Sequence, residues 1–503
     1  MATPPPDYSL LFALLFDICI AAAALFAAFL IRRTQPGVAR FLATGFVILC
    51  AAYALYDVQH LGTEMLREAT GWYRYKIPKI IIAVVLIVLL LRFPKRLLSA
   101  GRTLFLIFSP LFFILTLNGL WTYHVASGDD PGRAAGMLPA TASSNRVIWV
   151  VFDELDANLV FHARPQRIQM PEFDRLRQES LDATQVTTPA ENTAAAVASM
   201  FVGKVLRNDN IKPAPPDKLR VQVIGTSKWL DFGSLPNVFR RARAAGFNTA
   251  ISGWMYPYCR MLGNDLSDCA WMGSGFNLLM VKRGLNGKPF LRKCIYMLEW
   301  QARISPFMFY SLSDRPEDPQ FARQSSIDTM RFVSQNGLRM LGNQKLNLVF
   351  LHYPTPHPPG IWDTRTHTFT TANKNYIDNL QLADDTLGRI RQELEALGEW
   401  DSSTVLVSGD HPLRPMWSTF DAGTFDSPEV RSLTEGQHNS YVPFLLKLPF
   451  QKDHVEYNRP FNSVISGELV FEMLTGHLRT PADVAKWLDE RSGSSSEGKS
   501  ASP

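Results

Sequence analysis

The chain has 503 residues, enough for roughly two to four domains and a large buried core. It is 46% apolar and 19% charged, with a formal net charge of +5. That charge is too small for a nucleic-acid footprint, and no basic stretch is interleaved with aromatics, so no nucleic-acid partner is expected.

The apolar residues are unevenly spread. Residues 8–31 form a run long enough to cross a bilayer, and further runs follow at 41–59, 77–93 and 103–122. The first run lacks a basic leading segment and a small-residue cleavage site, so it reads as a retained span. Lys and Arg at the span edges set the orientation. Arg32, Arg33, Arg40, Arg92, Lys95, Arg96 and Arg102 fall on one side, against Arg67, Arg74, Lys76 and Lys79 on the other. This imbalance predicts a multi-pass protein of a bacterial-type plasma membrane, with its C-terminal domain facing the periplasm or exterior. Asp17 lies inside the first span and is either a functional acid or a hydrogen-bonding partner for a neighbouring helix. Trp72, Tyr73, Tyr75, Trp121 and Tyr123 sit where interfacial anchors belong.

Residues 123–145 are polar and rich in small side chains and read as a linker. From 146 to 491, strand-like and helix-like patterns alternate, which predicts an α/β domain with a doubly wound, mostly parallel sheet. Helices are expected at 171–180, 235–245, 320–341 and 375–397, and strands at 247–252, 346–351, 404–407 and 442–446. Residues 492–503 read as a disordered tail. Cys259 and Cys269 either close a small disulfide loop, if the domain is extracytoplasmic, or remain buried thiols.

The segment 146–156, RVIWVVFDELD, carries the first chemistry. Its β-branched run suits a strand buried on both faces, and Asp153, Glu154 and Asp156 stand where that strand ends. Ligands of open α/β sheets bind there, so the acids read as cation ligands or as the acidic cap of a helix. Strand 404–407 leads into Ser408-Gly409-Asp410-His411, a second acid–His strand end. His357 lies on a Pro-rich loop after strand 346–351, and His438 precedes the strand at 442–446. Thr193, in PAENTAAAVASMFVG, precedes a small-residue helix; its hydroxyl is either a nucleophile near a helix N-terminus or an N-cap.

Together these motifs resemble the sulfatase-like branch of the alkaline phosphatase superfamily over roughly 146–480. VIWVVFDELD resembles its first metal strand, LVFLHYPTPHPP its histidine loop, WDSSTVLVSGDH its second metal motif, and YVPFLLKLP the strand after its last site histidine. Thr193 stands ten residues before Gly203, similar to the family's spacing of nucleophile and glycine. The family's C/S-x-P-x-R pattern is absent, since Thr193, Ala195 and Val197 occupy its positions, and threonine cannot become formylglycine. Pro412 replaces the usual glycine after Asp410-His411.

A threonine nucleophile beside several membrane spans resembles the phosphoethanolamine and phosphoglycerol transferases, and Thr193-Ala-Ala-Ala-Val resembles the nucleophile segment of the phosphoethanolamine transferases. The resemblance implies one or two divalent ions, zinc or manganese, held by Asp153 and/or Glu154, Thr193, Asp410, His411 and His438. It implies Thr193 as nucleophile, with His357 and His438 contacting the phosphoryl group or moving protons. A phospho-headgroup would pass from a phospholipid donor to an envelope lipid or glycan. A hydrolase using the same site and a degenerate, non-catalytic membrane protein are the alternatives.

Overall fold

The computed structural model describes residues 133–139, 145–206, 212–213, 219–226, 228–272, 319–414, 429 and 441–492, with isolated positions 16, 33–35, 37, 290–291 and 294. The chain divides into two compact units, 1–129 with 281–316 and 130–280 with 317–503. Apart from Phe16, the four apolar runs lie outside the described residues, as do Asp17, the interfacial aromatics and the tail beyond Ser492. Within the first unit Phe16 meets Phe290 edge-on at 5.4 Å. Among the described residues no helix is long and apolar enough to cross a membrane.

The second unit is built on an eight-stranded sheet. Its strands in chain order are β1 Val147–Asp153, β2 Leu181–Ala183, β3 Thr249–Trp254, β4 Asp268–Met272, β5 Leu348–Pro356, β6 Thr404–Gly409, β7 Phe444–Lys447 and β8 Val455–Tyr457. They lie in the order β8-β2-β7-β6-β1-β5-β3-β4. The strands from β6 to β4 are parallel, whereas β7 runs against both β6 and β2.

Among the described residues the helices that flank this sheet include α1 Pro171–Gln178, α2 Thr193–Val202, α3 Val238–Ala244, α4 Pro319–Leu341, α5 Tyr376–Ala396, α6 Ser466–Leu474 and α7 Pro481–Ser492. The period-2 geometry of β1 divides its side chains between two apolar layers. Val147, Trp149 and Val151 pack with Phe201 of α2, Phe239 of α3, Leu469 of α6 and Leu488 of α7. Ile148, Val150 and Phe152 pack with Phe173 of α1, Val333 of α4 and Leu387 of α5. All six of these side chains are fully buried, which is why the run is apolar without alternation. Trp149 meets Phe350 at 4.9 Å and Phe201 at 5.8 Å; truncating it to alanine costs about 3–5 kcal/mol.

Several boundaries differ from the sequence reading, one of them because of a cap. The helix expected from 235 begins at Val238 because the Asn237 side chain accepts the Arg240 N–H at 2.9 Å. The strand expected at 346–351 runs on to Pro356, so it passes through His352. The strand expected to start at 442 begins at Phe444. Strands β2, β4 and β8 were not expected; each has five residues or fewer and includes an acid, Asp182, Asp268 or Glu456. Cys259 and Cys269 form a disulfide, which ties the short helix Tyr258–Leu262 to β4.

Candidate active site

The parallel register of β1 and β6 places two acids side by side. Phe152 pairs with Gly409, so Asp153 and Asp410 emerge together at the carboxyl end of the sheet, where α/β folds place ligands. The two turns are also bonded to each other. Asp410 Oδ1 accepts the backbone N–H of Glu154 at 3.0 Å and that of His411 at 2.7 Å. Glu154 takes up a left-handed backbone, φ 62°, and its carbonyl accepts the Tyr376 hydroxyl at 2.5 Å.

Thr193 joins these residues from α2. The N-cap of α2 is Asn192, whose side chain accepts the Ala195 N–H at 2.8 Å. Thr193 is therefore the first helical residue, not the cap. Its hydroxyl lies 3.2 Å from Asp153 Oδ1 and 3.3 Å from His411 Nε2. His411 Nδ1 faces the Pro412 carbonyl at 3.0 Å. A carbonyl only accepts, so Nδ1 carries a proton, and Nε2 faces the Thr193 hydroxyl and lies 3.4 Å from Asp153 Oδ1. The Tyr256 hydroxyl donates to the carbonyl of Ala194, the residue after Thr193.

The donors of Asp153, Asp410 and His411 lie within 4.8 Å of one another, and all three residues are buried. Asp153 Oδ2 and Asp410 Oδ2 are buried without a hydrogen-bond partner. Isolated carboxylate oxygens are costly in a dry site unless a cation or proton meets them. Burial, then the charges of Asp410 and Glu154, push the Asp153 carboxyl well above its usual range. This donor set of two carboxylates and an imidazole fits a divalent cation.

The other expected residues take different positions. Glu154 is fully buried, but its Oε1 accepts Arg414 Nε at 2.7 Å and the side chain is not among the three clustered donors. The backbone N–H of His357 donates to the Asp153 carbonyl at 3.2 Å. Its Nδ1 donates to the Pro358 carbonyl at 2.5 Å, which makes Nε2 the lone-pair nitrogen of the neutral ring. Burial lowers the pKa of His357. His438 lies outside the described residues. Asp156 accepts the N–H groups of Asn158 at 3.0 Å and Leu159 at 3.1 Å, so it caps the following turn.

Four residues around the site did not stand out in the sequence. Tyr256 and Tyr376 hold the turns after Thr193 and Asp153 through side-chain to backbone bonds. Tyr258 lies 2.8 Å from Nδ1 of the fully buried His352, whose pKa burial pushes down to about 4. Arg414 partners Glu154. The cluster WMYPY at the end of β3 was a strand-end signal for two of the tyrosines, whereas nothing local marks Tyr376 or Arg414.

Residues 145–466 match the family model described as Sulfatase. Among solved structures the chain is similar to Ps i-CgsB in complex with k-i-k-neocarrahexaose, at 14% identity over 68% of this chain and 74% of that one, TM-score 0.43. It is also similar to the phosphonate monoester hydrolase of Agrobacterium radiobacter, at 13% identity over 66% and 74%, TM-score 0.39. A third similarity is to the lipoteichoic acid synthase LtaP from Listeria monocytogenes, at 14% identity over 66% and 72%, TM-score 0.38. No curated protein matches the chain.

Proposed function

Because the chain belongs to the sulfatase family, and so is an enzyme of the alkaline phosphatase superfamily, we propose that it transfers a phospho-headgroup through Thr193. The donor is a phospholipid, the group is of the phosphoethanolamine or phosphoglycerol type, and the acceptor is an envelope lipid or glycan. One observation carries this reading. The Thr193 hydroxyl is not spent on capping α2 and instead contacts Asp153 and His411.

Asp153, Asp410, His411 and Thr193 are the residues that would hold a divalent ion. Such an ion, when bound, lowers the pKa of an alcohol and offsets charge on phosphoryl oxygens. In the first half-reaction Thr193 Oγ1 forms a bond to phosphorus as the bond to the diacylglycerol oxygen breaks. The threonine proton leaves and the alkoxide gains one. In the second, the acceptor oxygen bonds to phosphorus as the bond to Thr193 breaks, and the acceptor gives up its proton while Thr193 Oγ1 regains one. His357 and His438 are assigned to these proton movements, a task imidazole suits near neutral pH. Asp410 Oδ1 and the Tyr376 hydroxyl hold the turns that aim the donors.

The four apolar runs support placement at a membrane. The Cys259–Cys269 disulfide supports an oxidising compartment, as expected for a periplasmic or exterior domain. Formylglycine chemistry is disfavoured because threonine occupies the nucleophile position.

Water as the second acceptor would make the same site a hydrolase. Full-length protein given headgroup-labelled phospholipid, with and without membrane lipid and glycan acceptors, separates the two. Label carried onto an acceptor supports transfer; label appearing only as free headgroup rejects it in favour of hydrolysis.

A further inference from the structure

We propose that residues 133–139 are a strap whose docking holds the nucleophile helix α2 in place through Tyr256, so that the stretch leading in from the apolar runs also positions Thr193. This role rests on the reading of Thr193 as nucleophile and adds a positioning element that lies outside the site itself.

By composition 123–145 reads as a linker, yet its described part is docked on the second unit. Ala134, Gly136 and Leu138 are half-buried between exposed neighbours, and Ala134 packs on the apolar layer that contains Trp149. The Ala135 N–H donates to the carbonyls of Gly263 at 2.9 Å and Leu266 at 2.8 Å. The Leu138 N–H donates to Asn248 Oδ1 at 2.8 Å, and Arg243 Nη1 donates to the Gly136 carbonyl at 3.0 Å. Gly263 forms the seat. A β-carbon there would stand 2.4 Å from the Arg133 carbonyl oxygen, and its three nearest atoms would all belong to Arg133. The Gly263 backbone is right-handed helical, φ −52°, so the missing side chain serves the close approach of the strap and not the turn.

The seat belongs to the same piece of chain that holds α2. Gly263 directly follows the short helix Tyr258–Leu262. That helix is tied at its start to Tyr256, whose carbonyl accepts the Tyr258 N–H at 2.8 Å, and to β4 by the Cys259–Cys269 disulfide. The Tyr256 hydroxyl in turn donates to the carbonyl of Ala194, the residue after Thr193. Packed interiors transmit strain, and a helix this short, bonded at both ends, passes a shift of the seat on to Tyr256. Asp265 stays bonded to Asn237 at 3.2 Å and Arg240 at 3.1 Å, so losing the strap loosens the segment without unfolding it.

The test uses full-length, metal-loaded protein in detergent micelles and reads amide hydrogen exchange by mass spectrometry. Gly263→Ala should speed exchange across 133–139 at least about tenfold, at unchanged metal content. It should also speed exchange in the first turn of α2, where Ala195 and Ala196 donate to Asn192. Gly136→Val attacks the strap from its own side, because Gly136 has φ +84° with open space around it and a β-branched residue is strained there. It should give the same pair of changes, and it serves if Gly263→Ala does not fold. Both variants should slow phosphorylation of Thr193 by about threefold or more with KM for phospholipid unchanged. Tyr256→Phe should slow it too, and Gly263→Ala added to Tyr256→Phe should slow it no further; general destabilisation would give additive losses. A released strap with unaltered exchange in α2 overturns the proposal, as does a strap that stays seated in both variants or an additive loss in the double variant. Failure of the phosphothreonine reading shows elsewhere, as turnover with an unmodified Thr193, and leaves the exchange result interpretable.

Discussion

Glu154 donates its backbone N–H to Asp410 Oδ1 at 3.0 Å across 256 positions of sequence. The turn that ends β1 is thus built on a side chain from the end of β6. The two oxygens of Asp410 differ: Oδ1 holds two backbone N–H groups, whereas Oδ2 is buried without a hydrogen-bond partner, 3.6 Å from His411 Nε2.

Substitutions at Asp410 should separate the roles of the two oxygens. Asp410→Asn keeps an acceptor for the turn but removes the charge, so metal affinity should fall by at least about tenfold. Asp410→Ala should lose the metal as well and leave two buried N–H groups without an acceptor. Denaturation in EDTA should place the alanine variant about 1–3 kcal/mol below the asparagine variant. Equal stabilities would mean that the turn does not depend on Oδ1.

A second acid gives a pH dependence away from the site. Asp384 on α5 accepts the N–H groups of Glu172 at 3.0 Å and Phe173 at 2.8 Å and so caps α1. Burial raises its pKa from 3.8 to about 7, although those two bonds oppose the shift. The native state therefore holds the extra proton between these values. This contribution to stability is fully present below pH 3.8 and is lost as pH rises toward and through about 7. Asp384→Asn should flatten the stability–pH curve in that window by up to about 1.4 kcal/mol per pH unit. Chemical denaturation at pH 5 and pH 8 checks it, and an unchanged slope contradicts the assignment.

The disulfide between Cys259 and Cys269 closes a loop of sequence separation 10. Chain entropy alone gives it about 3 kcal/mol. It fixes the segment that carries Tyr256 and Tyr258, whose hydroxyls reach Ala194 and His352. Cys259→Ser with Cys269→Ser should lower the melting temperature and should make it insensitive to added reductant. A double variant as stable as the parent would show that the bond does not constrain the fold.

The parts of the site legible in the sequence are those in which one segment carries the whole signal. β1 reads as a buried strand because both faces are apolar, and Asp153 follows from its end. Asp410-His411 is legible for the same reason. The role of Thr193 was not settled by sequence, because a threonine before a small-residue helix also suits an N-cap; only the side-chain bond from Asn192 to Ala195 shows which residue does the capping. Asp153 and Glu154 looked equivalent as acids, but the bulge at Phe152/Asp153 and the left-handed backbone of Glu154 turn them to different partners. Tyr376 meets Glu154 across 222 positions and Arg414 meets it across 260. Local periodicity carries no information about such contacts. The short strands β2, β4 and β8 escaped because their pairing depends on neighbours already in the sheet.

The central claim is that Thr193 carries the transferred group. Full-length, metal-loaded protein mixed with phosphatidylethanolamine or phosphatidylglycerol vesicles and quenched in acid can be digested and weighed by mass spectrometry. The account predicts that the peptide containing Thr193 gains the mass of the phospho-headgroup, that added acceptor removes it, and that Thr193→Ala never acquires it. Consumption of the phospholipid with Thr193 unmodified, or undiminished turnover by Thr193→Ala, would contradict it.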